Sequence, residues 1–117
     1  MKILVVDDEP EVNALLVRWF AERGNEAFGL TGGADLIAWV TRRKFDLVVL
    51  DLILPGTNGL SLIRRVREKS PRTRVIAMSG IDDPVAASKA IQEGASHYLS
   101  KPLDFAELQR AVEMKNW

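Results

Sequence analysis

Short runs of branched apolar residues, each ending on a charged or hydroxyl side chain, alternate along this chain with longer stretches of helical periodicity. Ile3-Leu4-Val5-Val6 ends at Asp7-Asp8, Leu47-Val48-Val49-Leu50 at Asp51, the run from Arg74 to Met78 at Ser79, and Tyr98-Leu99-Ser100 at Lys101. Regular alternation of strand and helix signals predicts a mainly parallel sheet clothed by helices. In such sheets ligands gather beyond the carboxyl ends of the strands, so side chains distant in sequence meet there. Here they would meet as a carboxylate cluster facing an ammonium.

The pattern resolves into rounds of strand and helix. A strand over about Lys2 to Asp7 precedes a helix that Pro10 opens and Gly24 closes. Val12, Leu15, Leu16, Trp19 and Phe20 form its expected buried stripe. Glu26 to Leu30 is a weaker strand, and Ala34 to about Arg43 a helix carrying Leu36, Ile37 and Val40. Leu47 to Asp51 is almost wholly apolar, as befits a central strand covered on both faces. The turn Pro55-Gly56-Thr57-Asn58-Gly59 leads into a helix ending near Lys69, with Leu60, Ile63 and Val66 inward. Arg74 to Met78 is the fourth strand, and Asp83 with Pro84 starts a helix reaching about Glu93. His97 to Leu99 is the fifth strand, and Asp104 with Glu107 has the spacing of a capping box for the last helix.

Bulk properties remove whole classes. With 117 residues the chain suits one compact domain, 1–117, that can bury a sizeable core. Sixteen basic and sixteen acidic residues balance, so the electrostatic footprint of direct nucleic-acid binding is missing. The absence of cysteine excludes disulfides and thiolate metal sites and fits a cytoplasmic setting. No apolar run approaches the roughly 18 residues of a membrane span, and Ile3 to Val6 is shorter than the roughly seven to fifteen residues of a signal peptide's apolar region.

Taken in order, Asp7-Asp8, Asp51-Leu52-Ile53-Leu54-Pro55-Gly56 with Gly59, Ser79-Gly80, and Tyr98-Leu99-Ser100-Lys101-Pro102 resemble the receiver domain of two-component response regulators. The resemblance covers essentially the whole chain. It implies a flavodoxin-like α/β three-layer sandwich: a five-stranded parallel sheet of order 2-1-3-4-5 with five helices. It implies that Asp51 accepts a phosphoryl group from a sensor histidine kinase or phosphotransfer protein, and that small acyl phosphates can also serve. Mg²⁺ would be held by Asp8, Asp51 and the main-chain carbonyl of Ile53, with Asp7 acting through water. Lys101 would contact the phosphoryl oxygens, aimed by a cis peptide at Pro102. Ser79 and Tyr98 occupy the family's switch positions, Gly80 leaves the phosphoryl group accessible, and the responsive surface would be helix 4, strand 5 and helix 5. That surface would bind an output domain or downstream protein, or a second copy in a phosphorylation-dependent homodimer. Such a domain catalyses only its own phosphorylation and dephosphorylation and is not otherwise an enzyme. In such sites the positions of Ile53 and Ile81 flank the path of hydrolytic water, and neither isoleucine can orient water, so slow self-dephosphorylation is expected.

The chemistry stands beside the family. A carboxylate attacks phosphorus productively when the phosphoryl oxygens are neutralised and aligned. Clustered carboxylates repel unless a cation intervenes, and Mg²⁺, a hard ion, takes oxygen ligands. Each residue also has a plainer reading. Asp7, Asp8 and Glu9 suit a helix start, Asp51 a turn, Ser79-Gly80 turn chemistry and Lys101 a solvated loop. Tyr98 reads as a half-buried strand aromatic, Trp19 and Trp39 as packing residues, His97 as strand surface. Arg64, Arg65, Arg67, Lys69, Arg72 and Arg74 read as a solvated basic run. A haloacid-dehalogenase-type phosphatase would need an acid where Ile53 stands, dinucleotide binding lacks its glycine pattern, and a receiver-like interaction scaffold that is never phosphorylated would lack one of the acids or the lysine.

Overall fold

The computed structural model describes residues 1–80 and 84–114. The expected cap at Asp83 and the side chain of Ile81 lie outside the described residues. The elements run β1 (Lys2–Val6), α1 (Pro10–Glu22), β2 (Glu26–Leu30), α2 (Leu36–Arg42), β3 (Leu47–Asp51), β4 (Ile53–Leu54), β5 (Thr57–Asn58), α3 (Gly59–Lys69), β6 (Arg74–Ser79), α4 (Pro84–Glu93), β7 (His97–Ser100) and α5 (Phe105–Glu113).

Five strands form one parallel sheet in the order β2-β1-β3-β6-β7. This is the expected 2-1-3-4-5 arrangement, with β6 and β7 as its fourth and fifth strands. Alternation along each central strand divides the interior into two cores. Leu4, Val6, Val48, Leu50, Val75 and Ala77 pack against Leu36, Val40, Leu62, Ile63, Val66 and Ala90 from α2, α3 and α4. Ile3, Val5, Leu47, Val49, Ile76 and Met78 pack against Leu16, Phe20, Leu108 and Ala111 from α1 and α5. β1, β3 and β6 are covered on both faces, so polar chemistry on these three strands falls at their ends.

Several expectations need correction. Leu15 belongs to the predicted stripe of α1 but is 43% exposed, while Val12 and Trp19 are half-buried. The position that α1 buries instead is Asn13. Its amide donates to the main-chain oxygens of Asp7 (3.1 Å) and Leu30 (2.8 Å), so a polar residue inside the helix ties down the ends of β1 and β2. α2 is shorter than predicted, Leu36–Arg42 rather than Ala34 to Arg43, because Asp35 gives it no side-chain cap and the chain turns extended at Arg43. The predicted turn over 55–59 is part of a small antiparallel hairpin, β4 with β5, too short for its period to show in sequence. Arg74, read as part of a solvated basic run, is only 4% exposed. Its guanidinium donates to the carbonyls of Ala111 (2.7 Å) and Val112 (2.8 Å), satisfying the carboxyl end of α5.

Helix starts follow their caps more faithfully. Asn58 accepts from the amides of Leu60 (3.0 Å) and Ser61 (3.4 Å), and Asp104 from those of Ala106 (2.9 Å) and Glu107 (3.3 Å). Trp19 meets Phe20 edge-on and Trp39 stacks on Phe45, so both are packing residues. His97 is half-buried, with Nε2 3.1 Å from Met114 Sδ. Its pKa is lowered by burial and by the Arg74 charge, which keeps the ring neutral and packed. Among the described residues no helix is long and apolar enough to cross a membrane.

Candidate functional site

The strand ends deliver three groups, Asp7, Asp51 and Lys101, to one point. Asp7 directly follows β1 and continues its ladder through an amide bond to Leu30 O (3.1 Å). Asp51 is the last residue of β3, in register with Met78 of β6. Leu52 donates to Met78 O (2.9 Å) and Lys101 to Ser79 O (2.8 Å), so the loops after β3 and β7 are both pinned to β6. The Lys101-Pro102 peptide is cis.

The Lys101 ammonium lies 2.8 Å from Asp7 Oδ2, 2.9 Å from Asp51 Oδ2 and 3.0 Å from Glu9 Oε1. Asp7 and Asp51 are buried, Asp8 is half-buried, and Glu9 lies on the rim with its side chain 60% exposed. Asp51 Oδ1 accepts from the Ile53 amide (2.9 Å), and Asp7 Oδ1 from the Glu9 amide (2.8 Å). These bonds fix the carboxylates in position before any ligand arrives.

Electrostatics set the two central groups in opposition. Burial raises the pKa of Asp51, and the neighbouring Asp7 charge adds to this. The Ile53 amide and Lys101 pull the other way without cancelling the rise. For Lys101, burial disfavours the ammonium, but its contacts with Asp7, Asp51 and Glu9 and the charge of Asp51 outweigh it, so its pKa is raised. The lysine is therefore cationic throughout the physiological range.

Asp7, Asp8 and Asp51 each offer one oxygen, all within 4.8 Å of one another. Asp7 Oδ2 is buried, and among the described residues the Lys101 ammonium, 2.8 Å away, is its one cationic neighbour; no further donor reaches it. An all-oxygen set of three clustered carboxylates, balanced by a single ammonium, fits a hard divalent cation.

The remaining predicted residues surround this cluster. Ser79 is buried at the end of β6, with Gly80 exposed beside it; no described residue comes within 4 Å of where a Gly80 Cβ would stand. Tyr98 is half-buried on β7 against the core shared with α2, α3 and α4. The Ile53 side chain is 51% exposed at the mouth. Glu9 was legible only as a helix-start acid. Although it holds the N-cap position of α1, its side chain caps nothing and reaches Lys101 instead. The helix-start reading of Asp7 and the free-loop reading of Lys101 fail for the same reason, since both are committed to the cluster.

A cleft of about 520 Å³ opens beside the cluster, lined by Glu9, Lys101 and Gly80 and floored by apolar residues including Val12, Leu15 and Phe105. This cleft presents an apolar wall with one carboxylate and one ammonium at its edge.

The sequence matches the family described as the response regulator receiver domain over residues 3–113. It is 37% identical over 111 residues to the DNA-binding transcriptional regulator NtrC of Azospirillum brasilense, covering 95% of this chain and 23% of that protein. It is 35% identical to the TorCAD operon transcriptional regulatory protein TorR of Escherichia coli (strain K12), covering 97% of this chain and 48% of that protein. The chain therefore spans less than half the length of these relatives. A response regulator protein from Burkholderia pseudomallei, with a phosphorylated aspartic acid, calcium ion and citrate, superposes with a TM-score of 0.90 at 26% identity, over 97% of this chain and 66% of that one. The receiver domain of Francisella response regulator 1452 gives a TM-score of 0.86 at 27% identity, over 95% of this chain and 93% of that one.

Proposed function

This chain belongs to the response regulator receiver domain family, and from that premise we propose that residues 1–117 are one receiver domain whose phosphoacceptor is Asp51. The observation that carries this reading is the buried Asp51 carboxylate, held by the Ile53 amide at one oxygen and by Lys101 at the other, within 4.8 Å of two further acids. An Asp51 oxygen attacks phosphorus; the new O–P bond forms as the donor's bond to phosphorus breaks, and the leaving group keeps that electron pair. Lys101 follows the charge onto the phosphoryl oxygens. The Ile53 amide keeps Asp51 oriented, and Gly80 leaves room for the incoming group. A divalent metal, for which we propose Mg²⁺ on Asp8, Asp51 and the Ile53 carbonyl with Asp7 through water, neutralises the transferring phosphoryl group when bound.

The donor is a sensor histidine kinase or a phosphotransfer protein, and the setting is cytoplasmic. Ser79 follows Met78, the register partner of Asp51, and we assign to its hydroxyl the contact with the new phosphoryl group and to half-buried Tyr98 the inward turn behind it. The responsive surface is α4, β7 and α5, where Val85 and Ile91 of α4 are exposed apolar residues suited to an output domain, a downstream protein or a second copy. The domain catalyses only its own phosphorylation and dephosphorylation.

Intact mass after incubation with acetyl phosphate and Mg²⁺ tests the assignment. One phosphoryl group is expected on the wild type and none on Asp51→Asn; addition to both would move the acceptor elsewhere. The exposed Ile53 offers hydrolytic water no hydrogen bond, so the acyl phosphate should persist. Ile53→Asn should shorten its lifetime about tenfold, the equivalent of one hydrogen bond gained in the transition state. Equal decay of the two phosphoproteins, followed by mass after removing the donor, would refute a role for this position.

A further inference from the structure

We propose that Glu9 is a positioning residue acting through Lys101: a releasable latch that holds the ammonium at the rim of the site and slows capture of small anionic phosphodonors. The inference rests on the assignment of Asp51 as phosphoacceptor. Lys101 contacts three carboxylates, and they are not equivalent. Asp7 and Asp51 are buried, and Asp7 Oδ2 has no other donor, so neither can surrender the lysine without leaving a desolvated charge. Glu9 is 60% exposed and takes water in exchange, so it is the partner that Lys101 gives up most cheaply.

Geometry adds a second reason. Asp7, Asp8 and Asp51 form the group able to share a cation, and Glu9 stands outside it. When that cation and a phosphoryl group occupy the centre, Glu9 is the carboxylate left competing for Lys101. It also lines the cleft beside the cluster together with Lys101, so its charge repels a small dianion that enters by that cleft. Its N-cap position in α1 does not require it, because its side chain makes no cap hydrogen bond.

The test compares the initial rate of phosphoryl uptake from acetyl phosphate and Mg²⁺ in wild type, Glu9→Gln and Glu11→Gln, read by intact mass across a salt series. Glu11 is an exposed acid in the first turn of α1, outside the Lys101 contacts, and controls for net charge. Glu9→Gln is expected to react about two- to fivefold faster, the range of an exposed ion pair. Glu11→Gln should match the wild type. Because the latch is exposed, the advantage of Glu9→Gln should fade toward 1 M salt, where screening acts within about 3 Å. Unchanged or slower uptake by Glu9→Gln overturns the latch, as does equal acceleration by Glu11→Gln. If the wild type takes up no phosphoryl group, the Asp51 assignment itself fails and the latch falls with it.

Discussion

Lys101→Met should lose about 3 kcal/mol of stability in the absence of divalent metal, the scale for removing one partner of a buried ion pair. Lys101 is the cation that both Asp7 and Asp51 contact, and both acids are buried. Without it they face each other with, among the described residues, the Ile53 and Glu9 amides for relief. The sign of the pH dependence follows from Asp51. Its folded pKa is already raised above the ordinary 3.8, chiefly by burial, and losing Lys101 removes a contact that lowers it. A carboxyl group with a raised folded pKa contributes stability that is complete below the unfolded pKa and lost as pH rises through the folded one. The deficit of Lys101→Met should therefore be largest at neutral pH and shrink on acidification toward 3.8. Adding Asp51→Asn should recover much of the loss at neutral pH. Urea midpoints of the single and double variants across pH, with chelator present, measure this. A deficit indifferent to pH and to Asp51→Asn would show that Lys101 acts through packing rather than charge.

Gly59→Ala should cost about 2 to 3 kcal/mol, at the upper end of overpacking penalties, against a local preference pointing the other way. At the first position of α3, alanine is intrinsically the better helix former. Yet a Cβ on Gly59 would collide with the main-chain oxygen of Leu52 and stand 2.5 Å from its Cα and 2.8 Å from its carbonyl carbon, all backbone atoms that no rotamer change can move. Leu52 sits between Asp51 and Ile53, so relief by backbone shift would disturb the amide that orients Asp51. Loss of stability should be accompanied by slower phosphoryl uptake. Gly80→Ala is the contrast: among the described residues an added Cβ there meets nothing within 4 Å, and the folded state should hold within about 0.5 kcal/mol. Thermal denaturation of both variants decides; a Gly59→Ala protein as stable as Gly80→Ala would refute the close-approach argument.

Much of this was legible because apolar periodicity and strand-end acids are strong local signals. Leu47 to Asp51 reads as a buried strand and is one, and Asp7, Asp51 and Lys101 converge because parallel strands all finish at the same edge. What escaped depends on partners distant in sequence. Asn13 looks like a polar interruption of an apolar stripe until the carbonyls of Asp7 and Leu30 are seen to require its amide. Arg74 looks solvated beside Arg72 until the end of α5 arrives above it. Leu15 satisfies the helical period yet faces the cleft, because a stripe of five residues is wider than the face α1 buries. The β4–β5 hairpin is two residues on each side, below the length at which alternation means anything.

The burial of β1, β3 and β6 on both faces carries a consequence for measurement. Amides in these strands should exchange with deuterium only through global opening, whereas exposed α4 positions exchange through local fraying. The carboxylates at the strand ends thus stand on the slowest-exchanging part of the molecule. A ligand captured there would retard isotope uptake deep in the sheet, far from any atom it touches.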